Sequence, residues 1–247
     1  MNNKKSRLLI VSALTLLLAV FVTRAFASPV YTVTIGGDSY AVDPLERDMS
    51  AADYYNYDIV AGVGSGNPAF GTRGQSAVFW LYEDTTTSEI SLGMIFNTKG
   101  ETALPSARFG RVTMTTSGFP DTAYIALADD AFQGDASTLI NGTDTWGWSS
   151  AYTTDGAVIG GLNGEWVIDI FTHNVADTMT YWYFLDGPDY RNPEWNLLAI
   201  SPAGVSFQIQ ATESVVPLPA AAWLFISGLG VLGYTGWRSK PAREISS

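Results

Sequence analysis

The chain has 247 residues, 47% of them hydrophobic and 13% aromatic, with no cysteine, one histidine and a net charge of −11. The lack of cysteine excludes a thiol nucleophile and a disulfide staple, and a single histidine, His173, builds neither a multi-histidine zinc site nor an H-E-x-x-H helix. The acidity disfavours nucleic acid and anionic lipid surfaces as partners.

The first element is a leader. Lys4, Lys5 and Arg7 precede an apolar run over residues 8–22, and Ala25-Phe26-Ala27 offers a small-x-small cleavage site before Ser28. That is the pattern of a secretory signal peptide over residues 1–27. The next 189 residues, 28–216, have the size of one domain and hold six Lys+Arg against 23 Asp+Glu, so their net charge is 6 − 23 = −17. Such a field favours solubility and divalent cations. At this length a single core suffices without a staple.

Residues 28–211 read as short β-strands separated by Gly, Asp, Asn and Pro turns. Residues 31–35 alternate; 77–82 and 90–97 form a pair around the polar turn 83–89; 111–116 and 123–128 follow. A second series is 157–159, 166–171, 179–185, 197–200 and 205–211. Asn163-Gly164 and Asp186-Gly187-Pro188 are turn signals, because Gly accepts positive φ and Pro fixes its own. The one helical candidate lies in 44–55, where Ser50-Ala51-Ala52-Asp53 can begin a turn of helix, though Tyr54, Tyr55 and Tyr57 suit a strand equally. Ten candidate strands at this spacing predict an all-β fold, an antiparallel β-sandwich of jelly-roll-like type. The Gly-rich segment 62–74 reads as loop, and no Gly-Lys-Ser/Thr ends it as a phosphate loop requires.

Several sets of residues in this domain bear on its chemistry. His173 follows a strand and reads as a hydrogen-bonding residue at the start of a turn, 172–177. Ser65 lacks the flanking glycines of a nucleophile elbow. Asp129, Asp130 and Asp135 place hard oxygen ligands and a Gly within seven residues, a candidate calcium loop whose alternative is a solvated acidic turn; the spacing is not that of an EF-hand. Glu83-Asp84 with Glu89 is a weaker set of the same kind. Trp146 and Trp148 stand two apart in a polar setting, so an extended backbone projects both to one face as stacking platforms for sugar rings. Trp80 and Tyr82 repeat that spacing inside an apolar run and read as core. Tyr181 to Phe184, aromatic on both faces, reads as a buried strand, and Trp195 as a cover over a sheet end.

The last segment, 212–247, has three parts. A tether at 212–216 leads to Val216-Pro217-Leu218-Pro219-Ala220, then an apolar stretch over 220–237, then Arg238, Lys240 and Arg243. About 20 apolar residues cross the hydrocarbon, so 18 make a marginal transmembrane helix, with Trp223, Tyr234 and Trp237 as interfacial aromatics. Basic residues flank both hydrophobic segments on their outer sides, which places both chain ends in the cytoplasm and the domain across the membrane. Val-Pro-Leu-Pro-Ala with a Gly-rich helix and a basic end resembles the PEP-CTERM sorting signal in its VPLPA form. The resemblance covers residues 215–243; here Pro217-Leu218-Pro219 stands where the family has Pro-Glu-Pro. It implies recognition and removal of the tail by an exosortase-like membrane protease, on a route to the surface of exopolysaccharide-producing bacteria. The expected precursor is membrane-anchored, and the mature protein is expected at the cell surface, in the outer envelope or outside the cell.

Two functions stand open. One is a non-catalytic binding or structural role in the exopolysaccharide or biofilm matrix. The other is a polysaccharide-acting glycosidase or lyase using paired carboxylates, which 23 acids make available without pointing to a pair.

Overall fold

The computed structural model describes residues 29–213 apart from 57, 61–62, 66–67, 71–74, 97–109, 130–137, 149–153 and 175–178. Fifteen strands and one short helix make up the described chain, and the strands form two large sheets and one small hairpin. The first sheet has six strands in the order β10 (Thr143–Trp148), β8 (Gly110–Ser117), β12 (Trp166–Asn174), β15 (Ser206–Thr212), β1 (Val30–Ile35), β2 (Asp38–Val42). The second has the order β14 (Glu194–Ile200), β13 (Tyr181–Asp186), β6 (Ser76–Asp84), β7 (Glu89–Phe96), β11 (Asp155–Gly160), β9 (Tyr124–Ala128), with β3 (Leu45–Arg47) also on β6. Among the described residues, β4 (Asp58–Val60) and β5 (Val63–Ser65) pair with each other. From β8 to β13 every step crosses from one sheet to the other, and β15 returns to the first.

The two sheets are antiparallel except at β6. There β13 and β3 both pair parallel to it, Tyr181 opposite Ser76 and Leu45 opposite Tyr82, end to end along one edge. This corrects the expectation of a wholly antiparallel sandwich. The physical cause is the order of crossings: β13 arrives from the first sheet rather than from a hairpin with β6, so no tight turn dictates its direction.

Period-2 alternation builds the first sheet. β12 alternates buried and exposed along its whole length, with Trp166, Ile168 and Ile170 inward and Val167, Asp169, Phe171 and His173 outward. β8 does the same with Val112 and Met114 inward. These side chains meet Phe79, Leu81, Leu92, Met94, Phe96, Trp182 and Phe184 of the second sheet in the main core. The central strands of the second sheet are buried on both faces: β6 is buried from Ser76 to Tyr82, and its other set, Val78, Trp80 and Tyr82, belongs to a second core.

A helix, α1 (Ala51–Tyr55), covers that outer face. Ser50 is its N-cap, accepting from the Asp53 amide at 3.0 Å, and Asn56 ends it at φ 52°, the left-handed conformation that stops a helix. The helix is one of the two outcomes that Ser50-Ala51-Ala52-Asp53 left open.

Candidate binding face

The second core is a layer of rings. The Tyr54 ring stacks on Tyr82 with centroids 4.8 Å apart, and each hydroxyl finds a backbone carbonyl: Tyr54 donates to Tyr190 at 2.6 Å and Tyr82 to Met49 at 3.0 Å. Burial pushes both phenols well above their ordinary range. The Arg47 and Arg191 guanidinium groups lie over the Tyr190 ring, 4.6 Å and 5.2 Å from its centre.

From this layer a run of rings leads outward. Tyr54 meets Phe70 at 6.3 Å, Phe70 meets Trp195 at 5.7 Å, Trp195 meets Tyr183 at 5.4 Å, and Tyr183 meets Tyr181 at 6.3 Å. Tyr54, on the helix, and Phe70 are buried; Trp195 and Tyr183 are half-buried; Tyr181 is 38% exposed. The register puts Leu197 opposite Tyr183 and Ile200 opposite Tyr181, and these edge-strand residues are 49% and 64% exposed. The result is an open strip of aromatic and aliphatic side chains on β13 and β14, anchored at its inner end in packed rings. Tyr181 to Phe184 is therefore not a strand buried on both faces: only Trp182 and Phe184 point into the main core. Trp195 covers the outer face of the sheet rather than its end.

The sequence-level candidates fall elsewhere. Trp146 is fully buried in the main core, opposite Val112 and 5.9 Å from Phe96, so it is not an exposed sugar platform. The polar flanks of 143–149 concealed this because they occupy the outward alternation of the same strand: Thr143 and Thr145 bond to Thr115 and Thr113 on the outer face. Trp148 lies on β10 opposite Gly110, and its side chain is outside the described residues. His173 is an exposed residue within β12, opposite Thr113, rather than the start of a turn.

Among the proposed calcium ligands, Asp130 and Asp135 lie outside the described residues. Asp129 is buried, not in a solvated turn: its Oδ2 accepts from the Tyr55 hydroxyl at 3.0 Å, and its amide donates to the Gly156 carbonyl. No group of three or more His, Cys, Asp or Glu among the described residues is placed to hold a metal. Asp155, also buried, accepts from the Gly147 amide at 2.6 Å and so ties β11 to β10. Glu83 stands beside Glu46 in the parallel pairing of β6 and β3; desolvation first and the Glu46 charge second raise its carboxyl above the usual value. Asp84 and Glu89 flank the tip of the β6–β7 hairpin, where Asp84 accepts from Thr86 and Glu89 from Tyr124 at 2.7 Å. The Thr86 bonds hold the Asp84 carboxyl below its ordinary value.

The cleavage-site residues Ala25, Ala27 and Ser28, the motif 216–220, the apolar stretch 220–237 and the cations at 238, 240 and 243 lie outside the described residues. Among the described residues no helix is long and apolar enough to cross a membrane. Comparison of the chain with family models, with curated proteins and with solved structures finds no match.

Proposed function

We propose that this is an exported protein of the cell surface or extracellular matrix, delivered by a signal peptide and a VPLPA-type tail that an exosortase-like protease processes. Its β-sandwich, a jelly-roll-like variant in which the chain repeatedly crosses between sheets, has a non-catalytic binding role in exopolysaccharide. The route rests on the two terminal sequence patterns, and the role rests on one observation: the open strip of Tyr181, Tyr183, Trp195, Leu197 and Ile200, whose rings are held by packed rings behind them. Flat apolar rings on a rigid strand suit the C–H faces of sugars and lose little side-chain entropy on binding.

The test is retention on insoluble polysaccharide of the full chain in mild detergent and of the mature form recovered from the host. Wild type is retained, and Tyr181→Ala with Tyr183→Ala releases it. Equal retention of the variant removes the strip from the reading. The mass of the recovered form tests the route: a species starting at Ser28 and ending within 216–220 supports it, and one keeping residues 223–247 sinks it.

A second reading is a glycosidase, favoured by the raised carboxyl of Glu83 next to Glu46 on the neighbouring strand. New reducing ends appearing in the same incubation, and lost in Glu83→Gln, would support it over the binder.

A further inference from the structure

The outer face of the first sheet differs from the rest of the domain. Its outward side chains lie in rows across the strands: Thr143–Thr115–Phe171–Ser206, Thr145–Thr113–His173, and Ser117–Asp169–Gln208–Thr34–Ser39. Neighbours within rows are hydrogen-bonded, Thr113 to Thr145 at 3.0 Å, Thr115 to Thr143 at 2.8 Å, Gln208 Nε2 to Asp169 at 2.8 Å, and Thr34 to Ser39 at 2.7 Å. Phe171 and Val167 on the central β12 are 53% and 44% exposed. Within a segment of net charge −17, the outward positions of these strands carry one cation, Arg111, and one anion, Asp169.

We propose that this face is where two copies of the chain associate, face to face. An exposed aromatic and a valine ringed by hydroxyls and amides, with charge nearly absent, is the composition of an interface centre and its rim. Two molecules this acidic repel most where their carboxylates meet, and these strands set only Asp169 and Arg111 against the partner. The size also fits. Six strands about 4.8 Å apart and about seven residues long present a flat area of roughly 500–600 Å² before side-chain relief, about 1,000–1,200 Å² for the pair, which reaches the threshold of a biological interface.

The two charges define the orientation. Asp169 pairs with Ser117, at the opposite end of β8 from Arg111. A two-fold axis in the plane of the face, running across the strands between the Thr113 and Thr115 rows, reverses the strand direction of the second copy. Each Arg111 then faces the Asp169 end of its partner, and each Phe171 faces the His173 row, so the contact is self-complementary. The aromatic strips of β13 and β14 point away on both sides, so the pair has two binding faces turned outward, as a cross-linker of polymer chains needs.

The absence of cysteine makes the test direct. Ser206→Cys and, on the opposite face, Tyr181→Cys are introduced separately into the full chain expressed in an exporting host, and a short bis-maleimide is applied to whole cells. The expected result is covalent dimer from Ser206→Cys and not from Tyr181→Cys. In the Ser206→Cys background, Arg111→Asp lowers dimer yield at least about tenfold by setting like charges against each other, and adding Asp169→Arg restores it. Phe171→Glu lowers it similarly, with circular dichroism showing a retained fold. Equal cross-linking at 206 and 181, or failure of the charge swap to restore dimer, overturns the proposal. Loss of polysaccharide retention in Phe171→Glu without any Ser206→Cys dimer also overturns it and makes the face a glycan contact. Loss of retention in Tyr181→Ala with Tyr183→Ala bears on the other face and leaves this result separate.

Discussion

Trp80 on β6 faces Gly93 on β7, and its indole fills the space that a side chain at 93 would need: a Cβ there would stand 2.1 Å from Cε2 and 2.2 Å from Cζ2. The ring is also packed at 5.1 Å against Phe70 and at 6.3 Å against Tyr55, so it has no room to retreat. Gly93→Ala is expected to cost about 1–3 kcal/mol, the usual range for overpacking a closed core. Urea unfolding of the two proteins, followed by tryptophan fluorescence, reads the difference.

Trp146 and Tyr183 should separate stability from binding. Trp146→Ala empties a fully buried site and is expected to cost about 3–5 kcal/mol. Tyr183→Ala, on a half-buried ring, should leave the melting temperature nearer to wild type while weakening polysaccharide retention about three- to tenfold, the value of one stacking contact. Reversed outcomes would return the sugar platform to Trp146.

Asn141 adopts φ 54° and uses both ends of its amide on Phe119, accepting from its N–H at 2.8 Å and donating to its carbonyl at 3.1 Å. Asn141-Gly142-Thr143 has the pattern of a glycosylation acceptor, yet the amide is engaged within the fold. Asn141→Ala should cost about 1–3 kcal/mol from lost hydrogen bonds and backbone strain together. Asn141→Gly relieves the strain alone, so the gap between the two melting points isolates the backbone term.

Tyr31 and Tyr40 predict alkaline unfolding. Burial first, then the charges of Glu83 and Asp186 respectively, raise both phenols from 10.0 to about 12. The folded state holds these protons more tightly than the unfolded chain does. Their contribution is therefore fully present below pH 10 and is lost as pH rises from about 10 through about 12. Tyr40→Phe should flatten the decline of melting temperature over that window. At pH 7 the same substitution should be neutral or slightly stabilising, because the buried Tyr40 hydroxyl has no hydrogen-bond partner among the described residues.

Glu83 works in the opposite part of the scale. Its raised carboxyl means that the ionised form is disfavoured in the fold, so its contribution is greatest when protonated and falls as pH rises through the shifted value. Glu83→Gln should raise the melting temperature at pH 7 and lose that advantage toward pH 4. A variant less stable than wild type at pH 7 would mean that Glu83 is held by partners rather than penalised by burial and the Glu46 charge.

Alternation along the chain was sufficient for the all-β class, the β6–β7 hairpin and the strand at 166–171, because a strand's side-chain period is an intrinsic property of extended backbone. The helix at 51–55 was legible as one alternative through its cap. The short strands β2 to β5 were not, since three- to five-residue segments carry too few alternations to stand out from loop. The candidate site was read least well. Trp146 and Tyr183 both sit in aromatic-rich strands, and nothing local distinguishes the buried ring from the open one. Period two separates two faces without saying which is covered, and here the tertiary packing decides: the second sheet is covered on both sides at its centre but open at β13 and β14, and the first sheet is covered on one side. Asp129 follows the same rule, an acidic turn in sequence that becomes a buried acceptor once α1 brings Tyr55 over it. The parallel pairing of β13 with β6 depends on where the crossing chain lands, which is set by the fit of whole sheets and not by any segment of the chain.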